Sequence, residues 1–356
     1  MAGNCGSGFA RVDSPDYFPG VRFSAAGAVA RSITALLAVA AVAWLGLAAV
    51  PMRVDSTPAK LLVNEANPLL GQTFYVDPSS AAMRAAQSAP SPELVTVANT
   101  PQAYWLDQAF PASTVTGTVA RYAGAAQAAG AMPIFALYAI PHRDCGSFAA
   151  GGFSTADGYR GWIDGIAAGL GASPAVVIVE PDALDMADCL SADQRQERFD
   201  LIRYAVDTLT KDPGAAVYID GGHSRWLSAG EIAARLNQVG IDHARGFSLN
   251  TSNFYSTDEE IGYGEAISGL TNGAHYVIDT SRNGAGPAPE SSLNWCNPSG
   301  RALGTPPTTA TAGEHADAYL WIKRPGESDG SCDRGEPSAG HFSTQYAIDL
   351  ARATTH

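Results

Sequence analysis

Three aspartates each close an apolar run. Asp144 ends FALYAIPHRD, Asp182 ends VVIVEPD, and Asp329 ends AYLWIKRPGESD. Carboxylates delivered by separate strands suit a hydrolase. One can give a proton to a leaving group while another accepts one from water. A neighbouring Asp144 could hold Asp182 in its protonated form by like-charge repulsion. An aspartate at a strand end can also serve only as a turn former or helix cap. Three of them on separate strands, each near proline or glycine, favour chemistry.

These aspartates need a scaffold that gathers strand ends, and the rest of the chain supplies its signals. Strand-like runs are Thr73–Val76, Leu94–Val97, Pro133–Ala139, Ala175–Glu180, Ala216–Asp220, Gly246–Asn250, His275–Asp279 and Ala318–Lys323. Helical patterns lie between most of them, at Ser79–Ser88, Thr114–Ala129, Ala156–Leu170, Ala192–Thr210, Ser228–Gln238, Thr257–Leu270 and Ser343–Ala353. Several strand runs are apolar without alternation, as expected where both faces are buried. Repeated strand–helix alternation predicts an α/β fold with parallel strands, closed or nearly closed as a barrel. Active sites in such folds sit at the C-terminal ends of the strands.

The chain has 356 residues and a formal net charge of −13. No basic stripe is available to neutralise phosphates, which argues against nucleic acid as a partner. Ser32 to Met52 carries no charge and follows Arg11, Arg22 and Arg31. That length can span a bilayer or serve as an export signal. The reading is an N-terminal segment 1–55 with a signal peptide or signal anchor, a linker 56–66, and a folded domain 67–356. The protein is then secreted, or anchored in the cell envelope with its domain outside, and meets membrane only through that segment. Export makes Cys145, Cys189, Cys296 and Cys332 candidates for disulfides. Three pairings are possible, and proximity along the chain favours Cys145–Cys189 with Cys296–Cys332. The seven histidines include no H-x-H or H-E-x-x-H pattern, so no metal or other cofactor is expected.

The motifs FYVDP, IPHRDCG, VIVEPDAL, YIDGGHSRW, NTSN, VIDTSRNG, NWCNPSGRALGTPPT and WIKRPGESDG occur in that order. Together they resemble glycoside hydrolase family 6, the β-1,4-glucan cellulases, over residues 67–356. The resemblance implies a distorted, partly open parallel β/α barrel of seven to eight strands, acting as a monomer on β-1,4-glucan with inversion of the anomeric centre. It places the general acid on Asp182, its modulator and proton relay on Asp144, and a debated base on Asp329. Tyr75 matches the tyrosine that presses the reacting sugar out of its relaxed chair. Asp220 matches a carboxylate supporting the acid. Lys323 and Glu327 match a pair gripping sugar hydroxyls.

Trp295 is the leading sugar platform, followed by Trp226 with His223, while Asn250 and Asn253 lie in motif loops. The family's two disulfides match the pairing that proximity favours. Where several family members carry a water-holding serine, this chain has Ala150, beside Ala149. The short segments enclosed by the cysteines imply an open cleft and internal cutting. The rivals are an exo-acting, cellobiohydrolase-type enzyme and a glucan-binding protein with impaired catalysis.

Overall fold

A computed structural model describes residues 66–354. The expected N-terminal anchor or signal, and most of the linker after it, lie outside the described residues. Among the described residues no helix is long and apolar enough to cross a membrane.

Seven parallel strands form one sheet in sequential order: β1 (Tyr104–Leu106), β2 (Ile134–Leu137), β3 (Ala175–Val179), β4 (Ala215–Asp220), β5 (Gly246–Leu249), β6 (His275–Asp279) and β7 (Ala316–Leu320). The sheet curls into an open half-barrel. No strand ladder joins its edges. Single hydrogen bonds link them instead, from Ala103 N–H to Trp321 O at 3.0 Å and from Trp105 Nε1 to Ile322 O at 2.8 Å.

Alternation along the strands separates two cores. Ala136, Val176, Ile178, Tyr218, Val277 and Leu320 fill the concave face with Leu69, Phe74 and Met132. The opposite face carries Phe135, Val177, Val179, Ile219, Phe247 and Ile278. After α1 (Ala81–Ser88) and α2 (Pro92–Ala98), the helices that pack on it are α3 (Ala112–Ala128), α4 (Ala156–Leu170), α5 (Ala192–Leu209), α6 (Ala229–Gln238) and α7 (Thr257–Leu270). Helix starts follow the expected chemistry. Ser228 caps α6 through a reciprocal box with Glu231, satisfying two otherwise orphan donors.

Two strand expectations fail for identifiable reasons. Leu94–Val97 lies inside a helix, Pro92–Ala98, that Ser91 caps by accepting from Leu94 N–H at 3.2 Å. Its Leu94, Val97 and Ala98 are buried at helical spacing, so the period of this apolar run is helical and not extended. Thr73–Val76 makes only a single parallel bridge, Phe74 to Met132. Conversely, β1 had no assigned element. It is three residues long, too short to show a period.

Candidate active site

The site gathers at the C-terminal ends of β2, β3, β4, β6 and β7. Backbone strain marks the same place. His142, Asp144, Cys145, Glu180, Asp182, Asn250 and Ser252 all have positive φ without being glycine. Such conformations cost of order 1–3 kcal/mol each and concentrate at functional sites.

β3 delivers its acids through a strained turn, Glu180-Pro181-Asp182, with φ of 53° at Glu180 and 67° at Asp182. Glu180 turns inward and accepts from the N–H groups of Ala139, at 3.0 Å, and Ile140, at 3.1 Å. This ties the β3 turn to the segment after β2. Burial raises the Glu180 carboxyl to about 7. Asp182 faces the other way and is part-buried. Burial, followed by the negative charge of Asp220, raises its carboxyl well above the ordinary range; Lys323 opposes this. Burial and charge therefore both favour the protonated form of Asp182, the form a proton donor needs.

Asp220 ends β4 beneath it. Its Oδ1 accepts from Asp182 N–H at 3.0 Å and Gly222 N–H at 3.1 Å. Its Oδ2 accepts from Ser248 Oγ at 2.8 Å and Thr251 Oγ at 2.6 Å. Burial lifts its carboxyl to about 6 against the pull of these four donors. Asp144 begins a short 3-10 turn whose Cys145 is bonded to Cys189. Its Oδ2 accepts from Ala149 N–H at 2.7 Å. Burial raises it, opposed by that hydrogen bond and by Arg143.

Asp329 is the opposite case. Burial would raise it, but Arg282 and Lys323 outweigh burial and hold it below its ordinary value. Arg282 Nη1 lies 2.8 Å from Oδ2, Lys323 Nζ 3.0 Å from Oδ1, and Asn297 N–H donates to Oδ2 at 3.1 Å. Asp182 and Asp329 are thus driven in opposite directions, one toward its protonated form and one toward its anion.

The remaining sequence-predicted residues fall into two groups. His223 stacks between Trp226 and Tyr255, at centroid distances of 5.2 and 4.3 Å. Burial lowers its imidazole to about 4, so the ring is neutral. Trp226 is 37% exposed, an aromatic face turned toward solvent. Trp295 packs on Phe148 at 5.9 Å, and Phe148 in turn borders Gly330 beside Asp329. Tyr75 is nearly buried, edge-on to Tyr122 at 5.3 Å.

The other group is engaged within the protein. Asn250 donates to Asp279 O and Tyr255 O and accepts from Tyr255 N–H. Asn253 donates to Thr251 O. Lys323 is committed to Asp329 and Ser328 O, while Glu327 pairs with Arg324 at 3.0 Å. The structure does not join Lys323 and Glu327 to each other. Both disulfides form, Cys145–Cys189 and Cys296–Cys332.

Sequence reasoning passed over Glu180, Asp185, Glu260 and Asp279, all buried acids. Asp279 receives the N–H groups of Ser252, Ser281, Ile322 and Lys323, and so gathers three loops at the site. Its place at the end of HYVID is a readable signal. Among the described residues one group has metal-ligand geometry, Glu265, Glu314 and His315. It lies before β7, at the sheet end opposite the aspartates, and Glu265 already bonds His315 Nδ1 at 2.6 Å. A groove of about 570 Å³ is lined by Asn297, Arg301, Tyr346 and Asp349. Through Asn297 and Tyr346 it borders the Arg282–Asp329 pair.

Comparison with known proteins places these features. Residues 69–354 match the model of "Glycosyl hydrolases family 6". Endoglucanase A of Cellulomonas fimi is 46% identical over 283 residues, which cover 78% of this chain and 61% of that protein. The chain thus spans about three fifths of that relative's length. Endoglucanase 1 of Streptomyces halstedii is 41% identical over 291 residues, covering 78% of this chain and 88% of that protein. Among solved structures, the endoglucanase Cel6 from Mycobacterium tuberculosis is 77% identical with a TM-score of 0.81, covering 82% of this chain and 100% of that one. That protein was solved in complex with methyl-cellobiosyl-4-deoxy-4-thio-β-D-cellobioside.

Proposed function

The chain belongs to glycosyl hydrolase family 6, and from that premise and the site geometry we propose that it is an endo-acting β-1,4-glucanase that inverts the anomeric carbon. The observation that carries this reading is the contrast between Asp182, pushed toward its protonated form by burial and by the Asp220 carboxyl, and Asp329, held toward its anion by Arg282 and Lys323.

In this reading Asp182 protonates the glycosidic oxygen as the bond breaks. Asp220 sits behind it as a hydrogen-bonded carboxylate that disfavours a second negative charge, so the proton stays on Asp182 until the leaving group takes it. Water attacks the opposite face of the sugar, and its proton passes toward Asp144, whose carboxylate is oriented by Ala149 N–H. The negative charge of Asp329 stabilises the oxocarbenium-like transition state electrostatically. Tyr75 borders the reacting sugar, and the exposed Trp226 and the Trp295–Phe148 pair offer apolar platforms for pyranose faces. Internal cutting is supported by the endoglucanases among the relatives and by disulfide loops of only 44 and 36 residues. The disulfides also fit an oxidising compartment, which supports an exported or envelope-anchored protein.

The test is hydrolysis of carboxymethylcellulose and cello-oligosaccharides, with the product anomer followed by NMR. A rapid fall in solution viscosity and initial α-anomer at the new reducing end are expected. Products of β configuration, or release of cellobiose without loss of viscosity, refute the mechanism or the endo mode respectively.

A further inference from the structure

We propose that Asp185 is a positioning residue for the proton donor, acting through the Gly221–Gly222 turn that carries Asp220. The inference rests on the reading of Asp182 as the acid. Asp182 and Asp185 share one loop after β3, closed by Met186 N–H donating to Asp182 O at 2.9 Å. The Asp185 side chain runs back across to the β4 turn. It is 3% exposed, and neither carboxyl oxygen meets a hydrogen-bond partner from another residue.

The carboxyl lies flat against Gly222, where any added Cβ would collide with all three of its atoms. Gly222 has a φ of +65°, which also favours glycine. The same glycine donates to Asp220 Oδ1, the atom that receives Asp182 N–H, and its carbonyl accepts from Asn250 N–H at 2.7 Å. Two contacts therefore register the β3 loop against the β4 turn. One is the hydrogen bond from Asp182 to Asp220, and the other is the Asp185 carboxyl pressed on Gly222.

Charges face Asp185 from each element around it. Asp182 comes from its own loop, Asp220 from β4, Glu260 and Tyr263 from α7, and Arg235 from α6. Arg235 turns its guanidinium to Leu184 O, Asp185 O and Asp188 rather than to the Asp185 carboxyl. Three carboxyls against one cation that is engaged elsewhere leave an anion here unsupported. Burial and Asp220 accordingly raise the Asp185 carboxyl well above its ordinary value. The side chain works as a wedge whose neutral form these surroundings favour, at a place that no donor from another residue reaches.

The experiment compares Asp185→Asn, Asp185→Ala and Asp182→Ala on cellotetraose and on 2,4-dinitrophenyl β-cellobioside, whose leaving group needs no proton. Thermal melting of each variant is measured in parallel. Misplacement of a catalytic group by about 1 Å can cost on the order of 100-fold. Asp185→Ala is therefore expected to lose about tenfold or more in kcat on cellotetraose with KM unchanged, and less than about twofold on the aryl substrate.

Asp185→Asn keeps shape and neutrality, so it should stay within about twofold on both, with the alkaline limb of kcat/KM unmoved. Equal losses on both substrates in a folded Asp185→Ala, or no loss on either, overturn the proposal. A downward shift of the alkaline limb by about one pH unit in Asp185→Asn also overturns it, since the residue would then act as a charge. Asp182→Ala separates the two claims. If it shows no leaving-group dependence, the acid assignment itself fails. If it does and Asp185→Ala does not, only the role of Asp185 fails.

Discussion

Replacing Glu180 by glutamine should change how stability depends on pH. Glu180 is 1% exposed, and burial raises its carboxyl from 4.5 to about 7. The sign is opposite to that of a salt-bridged carboxylate. Between pH 4.5 and 7 the unfolded chain releases this proton while the folded protein retains it, so stability falls as pH rises through that window and is level above it. Integrated from pH 5 to pH 8, the loss is roughly 2–3 kcal/mol.

Glutamine cannot ionise, and its carbonyl oxygen can still accept from Ala139 and Ile140. The Tyr159 hydroxyl lies beside the Glu180 carboxyl, so one amide donor of the glutamine meets another donor group there. Any unsatisfied donor adds a constant, pH-independent penalty. The groups acting on Glu180 are Ala139, Ile140, Tyr159 and Arg143, so titration of Asp182, Asp185 and Asp220 largely cancels when variant and parent are compared at one pH. Urea unfolding of both proteins at pH 5 and pH 8 gives the quantity directly. Glu180→Gln should gain roughly 2–3 kcal/mol on its parent between the two conditions. An unchanged difference, within about 0.5 kcal/mol, would mean that Glu180 ionises as it does in the unfolded chain, and the argument from burial would be wrong.

Three further outcomes are expected. The His223 ring, lowered to about 4 by burial, should show no NMR protonation shift above pH 5, and its contribution to stability should fade as pH drops from about 6.5 toward 4. Cys145→Ser with Cys189→Ser opens a 44-residue loop and should lower stability in urea by up to about 4 kcal/mol; it should also reduce kcat, because Cys145 adjoins Asp144. Lys323→Met leaves Asp329 with Arg282 as its sole ion-pair partner, and should cost about 3 kcal/mol in the same assay.

What could be read in advance follows from how information is stored in the chain. β3, β4 and β6 are apolar, β-branched and bounded by turn residues, so their own composition announces them. β1 and the Pro92–Ala98 helix are decided by neighbours and by one capping serine, which a short apolar tract does not reveal. Asp144, Asp182 and Asp329 could be found because each follows an apolar run that reads as a strand, whereas Asp220 was marked by the resemblance of YIDGG. Glu180, Asp185 and Glu260 could not be singled out. An acid is exceptional only once it is buried without a counter-ion, and burial is a property of the tertiary structure. Asp185 in particular reads as one more polar residue in DALDMADC until Gly222 is placed against it.

The water side of the site follows the same reasoning. Alanine at 149 and 150 raised the question of what holds Asp144 and the attacking water where several family members carry a serine. The segment after Asp144 is shaped by its main chain: Ser147 N–H donates to Asp144 O at 2.8 Å, Ala150 N–H to Ser147 O at 3.1 Å, and Ala149 N–H to the Asp144 carboxylate itself. Arg143 closes the segment from behind through Nε to Ala149 O at 2.9 Å. A carboxylate oriented by a peptide N–H does not depend on the side chain of the residue that supplies it. Alanine at 149 and 150 is therefore compatible with a correctly aimed Asp144. The missing hydroxyl removes one possible water contact and leaves the proton acceptor in place, so the alanines alone give no reason to read the protein as a binding module.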